Sequence, residues 1–225
     1  MGTGPFALFK WEAVLENWQV FAEGFGVTIA LSVISLIISI ALGLLFGIFG
    51  SIPNVKARAV NRVYVEFIQN TPLVIQIFFL YHALPHVGIT LPVFIVGILG
   101  IGVYHGAYMA EAVRAGIGAV PKGQLEAAFS QGFGYWRAMF FVILPQAAKL
   151  SFPPMTNVSV NLIKNTSVMA MVAGGDLMYR SDSFSSETLY YGPTYVITGL
   201  LYLSLCYPLA TYARSLEKRT EVTHG

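Results

Sequence analysis

The sequence predicts an all-α membrane protein with five transmembrane helices, and three observations carry that expectation. First, hydrophobic residues make up 56% of the 225 positions and charged residues only 11%; mean hydropathy is +0.66. A soluble domain carries roughly 25% charged residues, so lipid is the solvent for most of this chain. Second, five stretches approach the ~20 apolar residues that a spanning helix needs. Third, lysine and arginine are distributed unevenly among the connections between those stretches, as they are in membrane proteins of fixed orientation. The same composition excludes other classes. A net charge of +2 is too small for nucleic-acid binding. The single cysteine, Cys206, excludes an intrachain disulfide framework or a cysteine-built zinc site. His82, His86, His105 and His224 show no metal-ligand spacing.

Residues 1–23 lack the basic start of a secretory signal. Leu8, Trp11, Leu15, Trp18 and Ala22 recur at three and four, with Lys10, Glu12, Glu16 and Glu23 elsewhere. That pattern predicts an amphipathic helix on the outer interface; a loose polar tail is the alternative. The first span, 24–50, carries no charge, and Ser35, Ser39, Gly43 and Gly47 form a stripe of small residues along it. Gly102, Gly106 and Ala110 do the same in the third span, 91–112. Such stripes let two helix backbones approach closely. Ordinary intrachain packing and an interface that slides between two conformations both fit them.

The second span, 66–84, is interrupted by Gln69, Asn70, Thr71, Pro72 and Gln76. Pro72 lacks a backbone donor and disfavours helix at Thr71. A break there, with amides around it, suits either a polar cavity or a packed kink. The fourth span, 152–173, is the best candidate for a translocation path. Asn157, Asn161 and Lys164 are spaced four and three, hence on one helical face. A lysine at the centre of a span costs about 2.5–3.5 kcal/mol on insertion scales, so it should face a bundle interior or water. Lys164 either attracts a substrate carboxylate or is a structural charge that snorkels. Pro153 and Pro154 are expected to mark the entry to this helix. The fifth span is 193–213.

Basic residues follow the first span (Lys56, Arg58, Arg62), the third (Arg114, Lys122, Arg137, Lys149) and the fifth (Arg214, Lys218, Arg219). The opposite side carries Lys10 and Arg180. This bias predicts an external N-terminus and a cytoplasmic tail, 214–225. The cytoplasmic connection 114–149 is long enough to expect a function. Pro121 and Gly123 mark a turn, 124–131 reads as a short helix stopped by Gly132 and Gly134, and a second helical stretch covers about 135–142. The physical expectation is that the short helix docks in another protein's cleft. The chain has no Gly-Lys pair, hence no phosphate-binding loop of its own, and no catalytic constellation.

At this connection the sequence resembles the permease subunits of ATP-binding cassette (ABC) importers. Glu126-Ala127-Ala128, then Gly132, then Val142, Leu144 and Pro145 follow that family's signature spacing, with Val142 in place of the usual isoleucine. GVTIALS at 26–32, YVEFIQNTPLVIQIFFLY at 64–81, GAYMAEAVRAGIGAVPKGQLEAA at 106–128 and NLIKNTSV at 161–168 resemble the polar amino-acid subfamily. The likeness spans about residues 24–219. It implies a type I importer permease in a bacterial inner membrane, multi-pass and not itself an enzyme. It further implies a second permease (the same or a different chain), two cytoplasmic ATPases that bind the ATP and magnesium, and an extracellular or periplasmic amino-acid-binding protein. By the same resemblance Gly123, Glu126, Ala127, Ala128 and Gly132 form the ATPase-coupling segment, in which Glu126 contacts the ATPase groove. Gln69 stands where the family often has arginine, and a partner permease carrying that charge would compensate. Gln69, Asn70, Thr71, Gln76, Asn157, Asn161 and Lys164 are the candidate substrate path. The expected cargo is glutamine or glutamate, with basic amino acids next. A passive channel or membrane scaffold without ATP coupling is the alternative.

Overall fold

The computed structural model describes residues 4–222; residues 223–225 of the expected tail, with His224, lie outside the described residues. All regular elements among the described residues are helical: α1 (Leu8–Glu16), α2 (Trp18–Ser51), α3 (Val55–Gln69), α4 (Leu73–Phe78), α5 (Val93–Ala119), α6 (Lys122–Ser130), α7 (Tyr135–Ala138), α8 (Leu144–Asn165), α9 (Leu177–Thr188) and α10 (Tyr191–Val222). Among them α2, α5 and α10 are long and apolar enough to cross a membrane, and the broken pair α3–α4 makes a fourth if its halves count as one span. The fourth expected span, 152–173, falls largely on α8. Its 22 residues include Gln146, Lys149, Asn157, Asn161 and Lys164, and that polar content keeps it below the apolarity of the other three.

The chain divides into two compact units. One comprises Met1–Ile37, Pro72–Gly102 and Val160–Pro208; the other comprises Ile38–Thr71, Val103–Ser159 and Leu209–Gly225. In the first unit, Val14 and Phe21 pack with Leu177 and Phe184 in one apolar cluster. Exposed Leu8, Leu15 and Trp18 leave an apolar face on α1 and the start of α2, the pattern of an interfacial helix. α2 begins at Trp18, earlier than the span read from sequence, because its first turns are held by protein contacts. Glu23 pairs with Arg180 at 2.7 Å, and a Cβ on Gly24 would lie 2.8 Å from the Leu177 Cα.

In the second unit, the small-residue stripes pack within this chain. A Cβ on Gly43 would lie 2.3 Å from Met109 Cβ, and one on Gly47 2.7 Å from the Ala110 carbonyl oxygen. Gly106 faces Leu42 and the Tyr64 hydroxyl at similarly short range. Intrachain packing is therefore what Gly43, Gly47 and Gly106 do in this conformation.

Pro153 and Pro154 do not mark a helix entry. Both lie inside α8, which starts at Leu144 and continues as a 3₁₀ turn over Thr166–Val172. The helix arrives already wound, through α7 and a π-turn over Met139–Ile143. A π-turn also covers Phe79–Ala83, and each π-turn ends two residues before a proline, Pro85 or Pro145. The wider turn makes room where a proline ring would crowd the carbonyl four residues back.

Asp176 caps α9, accepting from Met178 N–H at 3.0 Å through Oδ2. It is fully buried, and its Oδ1 has no hydrogen-bond donor among the described residues. Burial pushes its carboxyl up to about 6, partly offset by the Met178 backbone hydrogen bond. The unfolded chain ionises it nearer pH 4. The folded protein therefore holds the proton more tightly, and stability falls as pH rises from about 4 through about 6. Asp176→Asn keeps a cap acceptor and removes the charge. We expect it to stabilise the protein at neutral pH by as much as about 3 kcal/mol, the gain closing as pH is lowered towards 4. Thermal unfolding across that pH range checks this; a gain independent of pH contradicts it.

Candidate functional site

Three features carry candidate functional residues. The first is the segment after α5. Pro121 precedes α6, whose Ala128 is buried and whose half-buried Leu125 packs against a cluster of Val120, Met139, Ile143 and Ala147. Leu125 and Ala128, three apart, share one face. Lys122, Gly123, Glu126, Ala127 and Phe129 are exposed. The helix ends in a Schellman stop: Phe133 N–H donates to Ala128 O at 3.1 Å and Gly132 N–H to Phe129 O at 2.9 Å. Gly132 takes φ +82, a left-handed conformation that costs other residues roughly 1–2 kcal/mol. Open space surrounds it, so its local role is to stop the helix. The Gln146 amide donates to Gln124 Oε1 at 3.2 Å and to Val142 O at 2.8 Å, tying the start of α8 to α6. The result is a rigidly backed helix with one acidic and one aromatic group facing out.

The second feature is the break between α3 and α4. Asn70 Nδ2 donates to Glu66 O at 2.7 Å, and Thr71 Oγ1 donates to Phe67 O at 2.9 Å. The break's own side chains thus satisfy carbonyls at the end of α3, as a non-aqueous setting demands. Gln69 Nε2 donates to Ala107 O at 3.3 Å. Gln76 lies half-buried on α4, beyond the break.

The third feature is the polar face of α8. Asn157, Asn161 and Lys164 are all exposed in this chain. Lys164 lines a cavity of about 330 Å³ with Ser167, Met178, Tyr195, Thr198 and Tyr202. Lys164 makes no ion pair among the described residues. The Thr198 hydroxyl lies 2.6 Å from Ser181 Oγ and 2.8 Å from Thr194 O, its one proton shared between these two acceptors, so this wall is held in place. A cation beside hydroxyls and tyrosine rings can receive a carboxylate and a small polar body.

The family described as "Binding-protein-dependent transport system inner membrane component" matches residues 39–222. The chain belongs to this family. It is the membrane permease of an amino-acid ABC importer. The permease is 41% identical to the probable glutamine ABC transporter permease GlnM of Bacillus subtilis (strain 168), over 94% of this chain and 98% of that one. It is 30% identical to the L-cystine permease TcyB of the same organism, over 94% of this chain and 91% of that one. A solved amino acid ABC transporter with histidines superposes with a TM-score of 0.86 at 29% identity, covering 93% of this chain and 98% of that one.

The permease holds Glu126, Ala127 and Ala128 in α6 and Gly132 at its stop; Gly123, read from sequence as part of a turn, already lies inside the helix. Asn157, Asn161 and Lys164 stay on one face. Sequence reasoning missed Met178, Tyr195, Thr198 and Tyr202 around Lys164. A signal for three of them was present: Tyr195, Thr198 and Tyr202 recur at three and four in an otherwise apolar segment.

Proposed function

We propose that this permease imports a polar amino acid, glutamine or glutamate first and basic amino acids next, driven by ATP hydrolysis in partner subunits. Two ATPases would bind ATP and magnesium, a second permease would complete the pore, and an external binding protein would deliver the cargo. The N-terminus would face outward and the C-terminus inward, the orientation favoured by the bias of basic residues. In this reading α6 is the coupling helix. Closure of the two ATPases draws the coupling helices together and opens the pore outward; hydrolysis resets it. Gln69, Asn70, Thr71, Gln76, Asn157, Asn161 and Lys164 form the path, with Lys164 attracting the carboxylate.

The observation that carries the reading is α6 itself, backed by its apolar cluster and presenting Glu126 and Phe129 outward. The glutamine preference draws on Lys164 among hydroxyls and on the relative named for glutamine. The test is uptake of labelled glutamine, glutamate and arginine by vesicles holding the assembled complex, with ATP on the ATPase side. Expected is ATP-dependent glutamine uptake. Lys164→Glu should lower glutamate uptake tenfold or more, about 1.4 kcal/mol of lost recognition. Uptake that ignores ATP ends this reading.

A further inference from the structure

We propose that Thr166–Val172, the seven-residue 3₁₀ segment after α8, is a two-state element, 3₁₀ in this conformation and α-helical in another, whose switching widens and narrows the Lys164 cavity. Its role in transport rests on the import reading above. Runs of 3₁₀ helix beyond three or four residues are uncommon, and such stretches mark hinges or strain. This one ends in strain. Ala173, directly after it, takes φ +55, a left-handed conformation that alanine adopts only at a cost. Gly174 and Gly175 follow, the second at φ +70, so the chain beyond the segment can be re-aimed.

The residues suit both states. The Thr166 hydroxyl donates to Ile163 O and the Ser167 hydroxyl to Lys164 O, both at 2.7 Å. In a continued α-helix those carbonyls would accept from the amides of Ser167 and Val168. The hydroxyls stand in for those amides and let the winding tighten. At the far end an α-type bond is already in place. Ala173 N–H donates to Met169 O, four residues back, and Gly174 N–H joins it at 2.9 Å. In the 3₁₀ winding Thr166, Met169 and Val172 fall on one face, and all three are buried. In an α winding Thr166, Ala170 and Ala173 would share a face instead. Residues 168–173 are all apolar, so neither winding buries a new polar side chain.

The switch has a defined size. A 3₁₀ helix rises about 2.0 Å per residue and an α-helix about 1.5 Å, so the seven residues shorten by about 3.5 Å. The Lys164 cavity has walls on both sides of this segment. Lys164 and Ser167 lie at its start, and Met178 lies beyond the Gly174–Gly175 turn. Shortening draws Met178 towards Lys164 and narrows the cavity. The 3₁₀ state receives cargo beside Lys164, and the α state expels it.

A cysteine pair reads the winding directly. Ser167→Cys with Met171→Cys, in a Cys206→Ser background, places two thiols four residues apart. Their Cα atoms would stand about 6 Å apart on one face of an α-helix. In a 3₁₀ helix they would stand about 9 Å apart and about 120° around the axis. One cadmium ion bridges them only in the α state. In nanodiscs holding the whole complex, cadmium should shield both thiols from maleimide at least fivefold better during ATP turnover than without nucleotide. Neither single-cysteine variant should respond. Ala173→Gly removes the left-handed cost and favours the 3₁₀ state, so it should cut that shielding about fivefold. In the parent chain the same substitution should slow ATP-driven uptake by a similar factor. Equal shielding with and without ATP overturns the two-state segment, as does shielding or uptake that Ala173→Gly leaves untouched. Uptake by the cysteine pair without cadmium reports on the import reading by itself. Where that uptake is ATP-driven, cadmium should arrest it and a chelator restore it; uptake that ignores cadmium sinks the gating role.

Discussion

Gly43→Leu abolishes the stable fold of this permease, and even Gly43→Ala is costly. A Cβ at position 43 would sit 2.3 Å from Met109 Cβ, with Met109 C at 3.1 Å and Ala110 N at 3.3 Å. Carbon atoms rest at ~3.5–4.0 Å, so α2 and α5 would have to separate locally by over an ångström. The obstruction is backbone and Cβ, which no rotamer change removes. Overpacking of this kind costs roughly 1–3 kcal/mol and sometimes more. In lipid there is no hydrophobic reserve to offset it, because close packing and polar contacts are what hold helices together. We expect Gly43→Ala to lower the thermal midpoint and the yield of monodisperse protein, and Gly43→Leu to leave none. Gly26→Ala, on the same helix, is the control. Nothing lies within 4 Å of its would-be Cβ, and losing glycine's backbone entropy should gain about 0.5–1 kcal/mol. An unchanged midpoint in Gly43→Ala would show that the α2–α5 contact is looser than described.

Glu126→Lys silences ATP-driven uptake without unfolding the permease. Glu126 is exposed on α6, while Leu125 and Ala128 carry the anchoring, so the substitution leaves the helix seated. In the coupling role proposed for α6, a reversed charge at a close polar contact with an ATPase costs about 2–5 kcal/mol, hence at least tenfold in uptake. The midpoint should stay near the parent's, and ATP hydrolysis should persist without transport. Ala128→Leu should do the opposite, lowering the midpoint by overfilling a buried position. Undiminished uptake by Glu126→Lys removes α6 from the coupling role.

The two variants mark the boundary of what local pattern could tell. α6 and its stop were legible because they depend on neighbours in sequence. Pro121, Gly123, Gly132 and Gly134 act within about a dozen residues. The polar face of α8 was legible for the same reason, through helical periodicity. Pro153 and Pro154 were misread because the rule that prolines open helices is also local. Here α8 enters them already wound through the 139–143 π-turn, so they fall in its interior.

By itself the sequence determined that the chain is a membrane protein, that a short helix stopped at Gly132 follows the third span, and that Lys164 needs a polar setting. Those follow from composition, periodicity and the backbone limits of single residues. Only the tertiary structure decided what faces each of them. It seats Gly43 on Met109, surrounds Lys164 with Tyr195, Thr198 and Tyr202, buries Asp176 to the point of shifting its proton, and brings Arg58 and Arg114 to one pocket. The reason is physical. Steric contact, desolvation and charge pairing depend on distance in space, and these partners lie 31 to 66 residues apart or, for Asp176, across several helices.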